Sequence, residues 1–313
     1  MRVRGTGARS GAAGGRHTIR GAPRRDNRSP RGKNLACNAT SILVNSTAGK
    51  MGFATAESVV MAGLDLVPVS FAAIEAKERI SVENVPVDVY PIGERDEVIE
   101  EVKAKHPDLL VIDFTLPDAV NSNAEFYVRN GIPFVMGTTG GDREKLLRDV
   151  SESGNYAVIA ANMGKQIVAL QAMLQYAAKE FPGAFSGYKL DVVESHQSTK
   201  VDTSGTAKDI VTSFNELGMP CEEEDIVKVR EAKQQMEQMK VPEEYINGHA
   251  FHTYTLTSED GTVNFQFQHN VCGRRFYAEG SVDAALFLAK QMEKKSEKKL
   301  FDMVDVLNAG AMR

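Results

Sequence analysis

Short apolar runs alternate with amphipathic stretches between residues 41 and 160. The first run, residues 41–44, meets a glycine-containing turn, and a helical stretch over 53–62 follows and would end at Gly63. Further strands are predicted at 64–70, 109–113, 132–136 and 156–160, and helices between them at 94–105, 119–130 and 143–152. Strands that alternate with helices predict an α/β fold, with a doubly wound, Rossmann-like parallel sheet covered on both faces.

The pattern changes after residue 162. One long helix is predicted at 166–180, and strands at 190–194, 252–257 and 263–271, with a helix at 207–217 and a polar helical segment at 233–240. Strands outnumber helices here, which predicts an α+β domain with a mixed sheet over 164–280. Residues 281–308 return to a helical pattern, and we expect residues 281–313 to pack back on the first domain, 41–163.

The first 40 residues differ in composition from the rest of the chain. Up to Lys33 they contain nine arginines and one acidic residue, Asp26, with much glycine, alanine and serine and no apolar core of a secretory signal. Arginine-rich, acid-poor leaders are typical of organelle transit peptides. We therefore predict a disordered transit peptide over 1–40 and a location in the chloroplast stroma. The alternative is a basic tail that contacts nucleic acid non-specifically.

Charge and cysteine content exclude several classes of function. The net charge is −5 even with the basic leader, so the folded part is acidic and we expect no nucleic-acid partner. The three cysteines, Cys37, Cys221 and Cys272, lie far apart, without zinc-ligand spacing, so we expect a reducing compartment and no metal. No apolar stretch reaches the roughly 18–20 residues of a membrane span, and no membrane association is expected.

The turn after the first strand is the first candidate site. A strand, a glycine-bearing turn and a helix can bind a dinucleotide pyrophosphate at the helix N-terminus. The strict G-x-G-x-x-G pattern is absent, because its glycine places fall on Ser46, Ala48 and Met51, while Gly49 and Gly52 remain. By itself this turn fits an ordinary strand-to-helix connection equally well.

Three further loops support a nucleotide site, because ligands of open parallel sheets lie beyond the carboxyl ends of the strands. Small and hydroxyl-bearing residues follow three successive strands, in the segments Asp113-Phe114-Thr115, Gly137-Thr138-Thr139-Gly140 and Ala160-Ala161-Asn162. The second strand ends without the acidic residue that would bind the 2′-hydroxyl of NAD. We expect Lys50, Ser70 and Lys77 to accept a 2′-phosphate, so that NADPH is preferred and NADH is possible.

A polar loop in the second half carries the candidate chemistry. Ser204 is suited to be the N-cap of the next helix, so that Gly205 and Thr206 lie in its first turn with unpaired amides that could bind a carboxylate. Lys200 could pair with that carboxylate or donate a proton, and His196 could act as an acid or base. The alternative is a solvent-exposed loop with a capping serine.

The segment Glu194-Ser195-His196-Gln197-Ser198-Thr199-Lys200-Val201-Asp202-Thr203-Ser204-Gly205-Thr206-Ala207 closely resembles the signature of dihydrodipicolinate reductases (4-hydroxy-tetrahydrodipicolinate reductases), in particular the plant and algal type. The resemblance covers residues 41–313 and includes the loops above, Asn247-Gly248-His249-Ala250, His269 and Ala278-Glu279-Gly280. It implies a nucleotide-binding domain, a substrate domain whose sheet also forms a homo-oligomer (dimer or tetramer), and reduction of a cyclic dicarboxylate in the diaminopimelate pathway of lysine biosynthesis.

The resemblance also implies site residues at matching positions. His196 and Lys200 match the catalytic pair, and Gln197, Gly205, Thr206 and Arg274 match substrate-binding residues. The residues implied to bind the cofactor are Ser46, Thr47, Ala48, Gly49, Lys50, Met51, Thr115, Gly137, Thr138, Thr139, Ala160, Ala161, Asn162 and Met163.

Two departures from the family pattern bear on function. Ser46 occupies the place of a glycine, and a positive φ there would strain the turn and weaken cofactor binding. Gln197 stands where bacterial members have a second histidine. The alternative function is therefore a non-catalytic, reductase-like plastid protein with an assembly or regulatory role. A dehydrogenase with Cys221 or Cys272 as nucleophile is less consistent with the sequence, because nothing near either cysteine would lower its thiol pKa.

Overall fold

The computed structural model describes residues 40–310, so nearly all of the predicted transit peptide lies outside the described residues. The strands are β1 (Ser41–Asn45), β2 (Asp65–Leu66), β3 (Val69–Ala72), β4 (Glu78–Val82), β5 (Val85–Pro91), β6 (Leu109–Asp113), β7 (Phe134–Met136), β8 (Ala157–Ile159), β9 (Lys189–His196), β10 (Val227–Val229), β11 (His249–Thr257), β12 (Asn264–Cys272) and β13 (Leu300–Phe301). The helices are α1 (Lys50–Met61), α2 (Arg95–Lys105), α3 (Val120–Arg129), α4 (Arg143–Ser153), α5 (Lys165–Glu180), α6 (Gly205–Glu216), α7 (Ala232–Glu237), α8 (Arg275–Glu293) and α9 (Met303–Asn308).

Six parallel strands form the main sheet, in the order β13-β8-β7-β6-β1-β2. The central strands are apolar on both faces, because helices cover both. Ile42 and Val44 of β1 point into the core formed with α1 and α8, while Leu43 points into the core formed with α2, α3 and α4. This arrangement confirms the predicted doubly wound, Rossmann-like fold.

The predicted second strand, 64–70, is wrong as a single element. Its residues are divided between β2 of the main sheet and β3, which belongs to a separate three-stranded sheet in the order β3-β5-β4. Pro68 lies between the two and cannot donate a ladder hydrogen bond, which is consistent with the break. Strands β4 and β5 were not predicted.

The second lobe is built on a four-stranded mixed sheet in the order β10-β9-β11-β12, as the α+β pattern predicted. Helices α5 and α6 cover one face, where Leu190, Ile210 and Tyr254 share a core. On β12 every second residue is exposed and polar, at Asn264, Gln266, Gln268 and Asn270. Part of the sheet therefore lacks a covering layer among residues 40–310.

Residues 281–308 were predicted to be helical, but the structure places a strand within this segment. Helix α8 begins earlier and is followed by β13, which joins the main sheet beside β8, and then by α9. Helix α8 packs closely on the connection between the lobes, since a Cβ on Gly280 would lie 1.8 Å from the Met163 carbonyl oxygen. Lys165 and Asp283 form a buried ion pair at the same place. Within residues 40–310, none of the helices is both long enough and apolar enough to traverse a bilayer.

Candidate active site

The turn between β1 and α1 is held against the end of β3. The Ser46 amide donates to the Phe71 carbonyl (2.9 Å), and the Thr47 amide donates to the Ser70 hydroxyl (3.1 Å). Helix α1 lies unusually close to the turn, because a Cβ on Gly52 would stand 2.1 Å from the Ser46 carbonyl oxygen. Glycine at 52 therefore allows the close backbone approach that a pyrophosphate site at this helix N-terminus requires.

Ser46 has a φ of 60°, in the left-handed region. A residue with a Cβ is strained there, at a cost of about 1–2 kcal/mol. The backbone at Ser46 therefore has the positive φ that the sequence analysis considered for this position. The strain lies within the turn that is predicted to bind the pyrophosphate.

A buried polar network lies beneath the nucleotide loops. The Asp113 carboxylate accepts hydrogen bonds from the Tyr127 hydroxyl, the Asn123 amide (2.9 Å) and both the amide and hydroxyl of Thr115 (2.9 and 2.7 Å). Asn45, at the end of β1, donates in turn to the Tyr127 hydroxyl. The network joins the loops that follow β1 and β6. Sequence analysis missed Asn45, Asn123 and Tyr127, because only the fold brings them to Asp113.

A cleft of about 820 Å³ lies between the two lobes, at the carboxyl ends of the parallel strands. It brings together residues predicted to bind cofactor and residues predicted to bind substrate. The predicted residues that line it are Met51, Gly137, Thr139, Ala160, Ala161, Asn162, Met163, Lys200, Gly205 and Thr206.

The other predicted residues do not line this cleft. They are Ser46, Thr47, Ala48, Gly49, Lys50, Thr115, Thr138, His196, Gln197 and Arg274. Those of the turn flank the N-terminus of α1, and Thr115 and Thr138 lie beside Asp113. Arg274 precedes α8 and approaches Gly248, where a Cβ would lie 3.2 Å from a guanidinium nitrogen.

A direct hydrogen bond joins the two lobes inside the cleft. The Asn162 side-chain Nδ2 donates to the Thr206 hydroxyl (3.1 Å), and the side-chain Oδ1 of Asn162 accepts from the Gly164 backbone amide (2.8 Å). Thr206 lies in the first turn of α6, whose N-cap is Ser204, as predicted, although the Ser204 side chain makes no capping hydrogen bond. The first amides of α6 therefore face the cleft beside the loop that follows β8.

We call the loop between β9 and α6, residues 197–204, the chemical loop, and Lys200 is its cation at this cleft. Its Nζ is 2.7 Å from a carboxylate oxygen of Asp202, which is itself exposed. This hydrogen bond lowers the pKa of the Asp202 carboxyl below its usual value. An anionic ligand in the cleft must compete with Asp202 for the Lys200 ammonium.

His196 is buried behind the cleft. Its Nε2 lies 3.0 Å from the Nε2 of His252, so one ring donates and the other accepts. Burial, and then the positive charges of Arg230 and Lys200, lower the pKa of His196 to about 3. The imidazole is therefore neutral near pH 7 and does not carry the extra proton that an imidazolium acid would donate. Its partner, His252 on β11, is also buried.

One group within residues 40–310 has the spacing to hold a metal ion: Glu194, His196 and His252, whose ligand atoms lie within 4.8 Å of one another. The Glu194 carboxylate is already in use, because it forms an ion pair with Arg230 and accepts from the Ser204 amide (3.0 Å). A guanidinium in contact with the carboxylate opposes a second cation. We assign no metal to this group.

The cysteines are poor candidates for nucleophiles. Burial raises the pKa of both the Cys221 and the Cys272 thiol above the usual value. A thiol with a raised pKa holds less of the reactive thiolate at neutral pH. This agrees with the expectation of inert cysteines.

Comparison with known proteins gives matches over nearly the whole described chain. Residues 40–163 match the family described as "Dihydrodipicolinate reductase, N-terminus", and residues 166–307 match "Dihydrodipicolinate reductase, C-terminus". The protein named "4-hydroxy-tetrahydrodipicolinate reductase 1, chloroplastic" of Arabidopsis thaliana is 53% identical over 280 residues, which cover 89% of this chain and 81% of the relative. "Probable 4-hydroxy-tetrahydrodipicolinate reductase 2, chloroplastic" of Oryza sativa subsp. japonica is 51% identical over 273 residues, which cover 87% and 84%.

A solved structure has the same fold at lower identity. It is the "Dipicolinate bound Dihydrodipicolinate reductase from Paenisporosarcina sp. TG-14", with a TM-score of 0.56, 18% identity, and coverage of 84% of this chain and 97% of that chain. The two family matches cover both lobes of the described chain, and the two plant relatives match most of its length. The chain belongs to the dihydrodipicolinate reductase family.

Proposed function

We propose that this chain catalyses the NAD(P)H-dependent reduction of 4-hydroxy-tetrahydrodipicolinate, through its dehydrated form, to tetrahydrodipicolinate in lysine biosynthesis by the diaminopimelate pathway. The observation that carries the proposal is the cleft itself, where the Asn162–Thr206 hydrogen bond joins the nucleotide lobe to the start of α6. Both reactants would meet at this point.

The residues of the first lobe fit a dinucleotide. The N-terminus of α1 offers unpaired amides to a pyrophosphate, and the Asp113 network holds Thr115 and Thr138 beside the strand ends where a nicotinamide would lie. The cofactor, when bound, would supply a hydride from C4 of its ring. Gly137, Ala160 and Ala161 are small enough to leave space for that ring in the cleft.

The second lobe fits a dianionic substrate. The amides of Gly205 and Thr206, together with the Thr206 hydroxyl, would bind one carboxylate at the N-terminus of α6. Lys200 would pair with the substrate after leaving Asp202, and Gln197 and Arg274 would act at the margin of the site. Addition of hydride to an unsaturated carbon leaves an electron pair conjugated to the ring imine, which requires one proton. We assign that proton to the Lys200 ammonium, because His196 is neutral.

We propose that NADPH is preferred over NADH. Ser70 is no longer a candidate for the 2′-phosphate, because its hydroxyl is buried and accepts from the Thr47 amide. Lys77, which contacts the Tyr90 hydroxyl (2.6 Å) and Asp88 (2.9 Å), and the exposed Lys50 remain. Steady-state kinetics should give a higher kcat/KM for NADPH than for NADH. Lys77→Ala should reduce the ratio of these two kcat/KM values. Equal or better use of NADH would contradict the preference.

We also propose a location in the plastid stroma with residues 1–40 as the transit peptide, and a homo-oligomer. The plant relatives are named chloroplastic, and the exposed polar face of β12 supports association of the four-stranded sheets of two copies. Light scattering of the chain from residue 41 onward should give the mass of a dimer or tetramer, and a monomer would contradict it.

Purified protein lacking residues 1–40, supplied with freshly condensed pyruvate and aspartate semialdehyde, should oxidise NADPH. Lys200→Ala should remove most turnover and leave NADPH binding intact, whereas Lys189→Ala, a control at an exposed lysine on β9, should leave both unchanged. Unchanged turnover in Lys200→Ala would refute the assigned role. Cofactor binding by the wild-type chain without any turnover would favour the non-catalytic alternative.

A further inference from the structure

Arg230, just after β10, contacts the chemical loop at several points. Its Nε donates to the Lys200 carbonyl (2.7 Å), and its Nη2 donates to the Asp202 carbonyl (3.3 Å). The same guanidinium forms an ion pair with Glu194 and lies 3.5 Å from the Glu194 carbonyl oxygen. One side chain thus holds the strand end before the loop and two carbonyls within it.

Glu194 continues these contacts to the far end of the loop. It is fully buried, and its second carboxylate oxygen accepts from the Ser204 amide at 3.0 Å. Ser204 is the N-cap of α6, the helix whose first turn faces the cleft. Arg230 and Glu194 therefore connect the end of β9, the middle of the loop and the start of α6.

Gln235, on α7, holds the same loop from the other side. It is fully buried, and its side-chain amide donates to the His196 carbonyl at 2.7 Å. Helix α7 lies in the polar segment for which the sequence indicated no chemistry. Arg230 and Gln235 therefore both donate hydrogen bonds to the backbone of the chemical loop or of the residue before it.

We propose that Arg230 is a positioning residue that fixes the Lys200–Thr206 loop for catalysis, with Gln235 as its second support. The proposal rests on the role proposed above for Lys200. Arg230 does not line the cleft, so it would act through the loop backbone. Its planar guanidinium carries several N–H donors in a fixed fork, and the single ammonium of lysine cannot reach these acceptors together.

The first test is Arg230→Lys, which keeps the charge beside Glu194 and loses the fork. We expect kcat for the dicarboxylate to fall by roughly 10- to 100-fold, because small misplacements of catalytic groups have effects of that size. The NADPH Kd, measured by fluorescence, should stay within about twofold, since the nucleotide loops are untouched. Lys228→Met, a control at an exposed lysine of β10, should match the wild type.

Two further variants keep the proposal testable if Arg230→Lys does not fold. Glu194→Gln with Arg230→Met removes both charges together, so no buried charge is left unpaired. Gln235→Met leaves both charges in place and removes the hydrogen bond to the His196 carbonyl, together with the longer one (3.5 Å) to the Val229 carbonyl. Each should lower kcat more than it changes the NADPH Kd.

Chemical rescue distinguishes positioning of the loop from a general structural role, because added guanidinium would not restore kcat lost through a general structural defect. Arg230→Ala should regain part of its kcat when guanidinium ion is added at non-denaturing concentration, whereas Lys200→Ala should not. A kcat in folded Arg230→Lys and Gln235→Met equal to that of the Lys228→Met control would overturn the proposal. Failure of the proposed function would appear separately, as wild-type protein without turnover or Lys200→Ala with full turnover.

Discussion

Replacing Ser46 by glycine should stabilise the chain and tighten cofactor binding. Ser46 has a φ of 60°, a conformation that costs a residue with a Cβ about 1–2 kcal/mol. Glycine removes this strain but loses about 0.5–1 kcal/mol, because its unfolded chain samples more conformations. The net gain lies between zero and about 1.5 kcal/mol, which corresponds to a rise in Tm of at most roughly 3–6 °C for a chain of this size.

The same substitution should affect NADPH affinity. The strain relieved by Ser46→Gly divides between folding and binding. Only the part that the ligand-free turn escapes by relaxing is restored when the cofactor binds, and that part does not appear in the Tm. Ser46→Gly removes that part, so the NADPH Kd should fall by up to about tenfold if the Tm is unchanged, and by less as the gain in Tm approaches its limit. The matched control is Ser46→Ala, which removes the hydroxyl but keeps a Cβ at the positive φ.

Differential scanning calorimetry and a fluorescence titration with NADPH measure the two effects. We expect Ser46→Ala to remain at or below wild type in both. An equal gain in Ser46→Ala would assign the effect to the hydroxyl, and a loss of stability or affinity in Ser46→Gly would refute the strain argument.

Three other changes test separate contacts. Asp202→Asn should lower the KM for the dicarboxylate several-fold, because Lys200 no longer has a competing carboxylate; an unchanged or raised KM in steady-state assays would contradict this. Tyr127→Phe breaks the link from Asn45 to Asp113 and should raise the NADPH Kd while leaving the dicarboxylate KM nearly constant; equal changes in both would argue against the network's role. Burial lowers the pKa of His269 to about 4, so the unfolded chain binds a proton that the folded chain does not between about pH 6.5 and 4. The free energy of unfolding should therefore fall as pH falls through that window. Measured by urea unfolding, its decrease from pH 7 to pH 5 should be smaller in His269→Leu than in the wild type. An equal decrease would contradict the assignment.

Elements whose burial is settled locally could be predicted from sequence. Strand β6 lies at the predicted bounds, because a run of apolar residues in the middle of a parallel sheet is buried on both faces. Helix α6 begins at the predicted cap, since Ser204 and Gly205 mark a helix start.

Two kinds of element could not be predicted: a hairpin whose turn contains no glycine, and a short strand that depends on a distant partner. The β4–β5 hairpin turns at Glu83 and Asn84, with φ values of 46° and 70°, a geometry that usually shows glycine in the sequence. Strand β13 has two residues and exists through its pairing with β8.

The same division holds in the site. Lys200, Gly205 and Thr206 were found because they lie within one short segment that enters the cleft. The burial of His196 depends on β11, which brings His252 to its ring across more than fifty residues. Arg230 reaches the chemical loop because β10 pairs with β9. Neither contact can be predicted from the spacing of residues along the sequence.

A crystal structure of the chain with NADP⁺ and pyridine-2,6-dicarboxylate tests the central claim most directly. The account predicts the nicotinamide beside Asn162, one carboxylate on the amides of Gly205 and Thr206, and the Lys200 ammonium in contact with the ligand on the side that faces C4. A dicarboxylate bound elsewhere, or in the cleft with Lys200 still paired to Asp202 and out of reach, would contradict it.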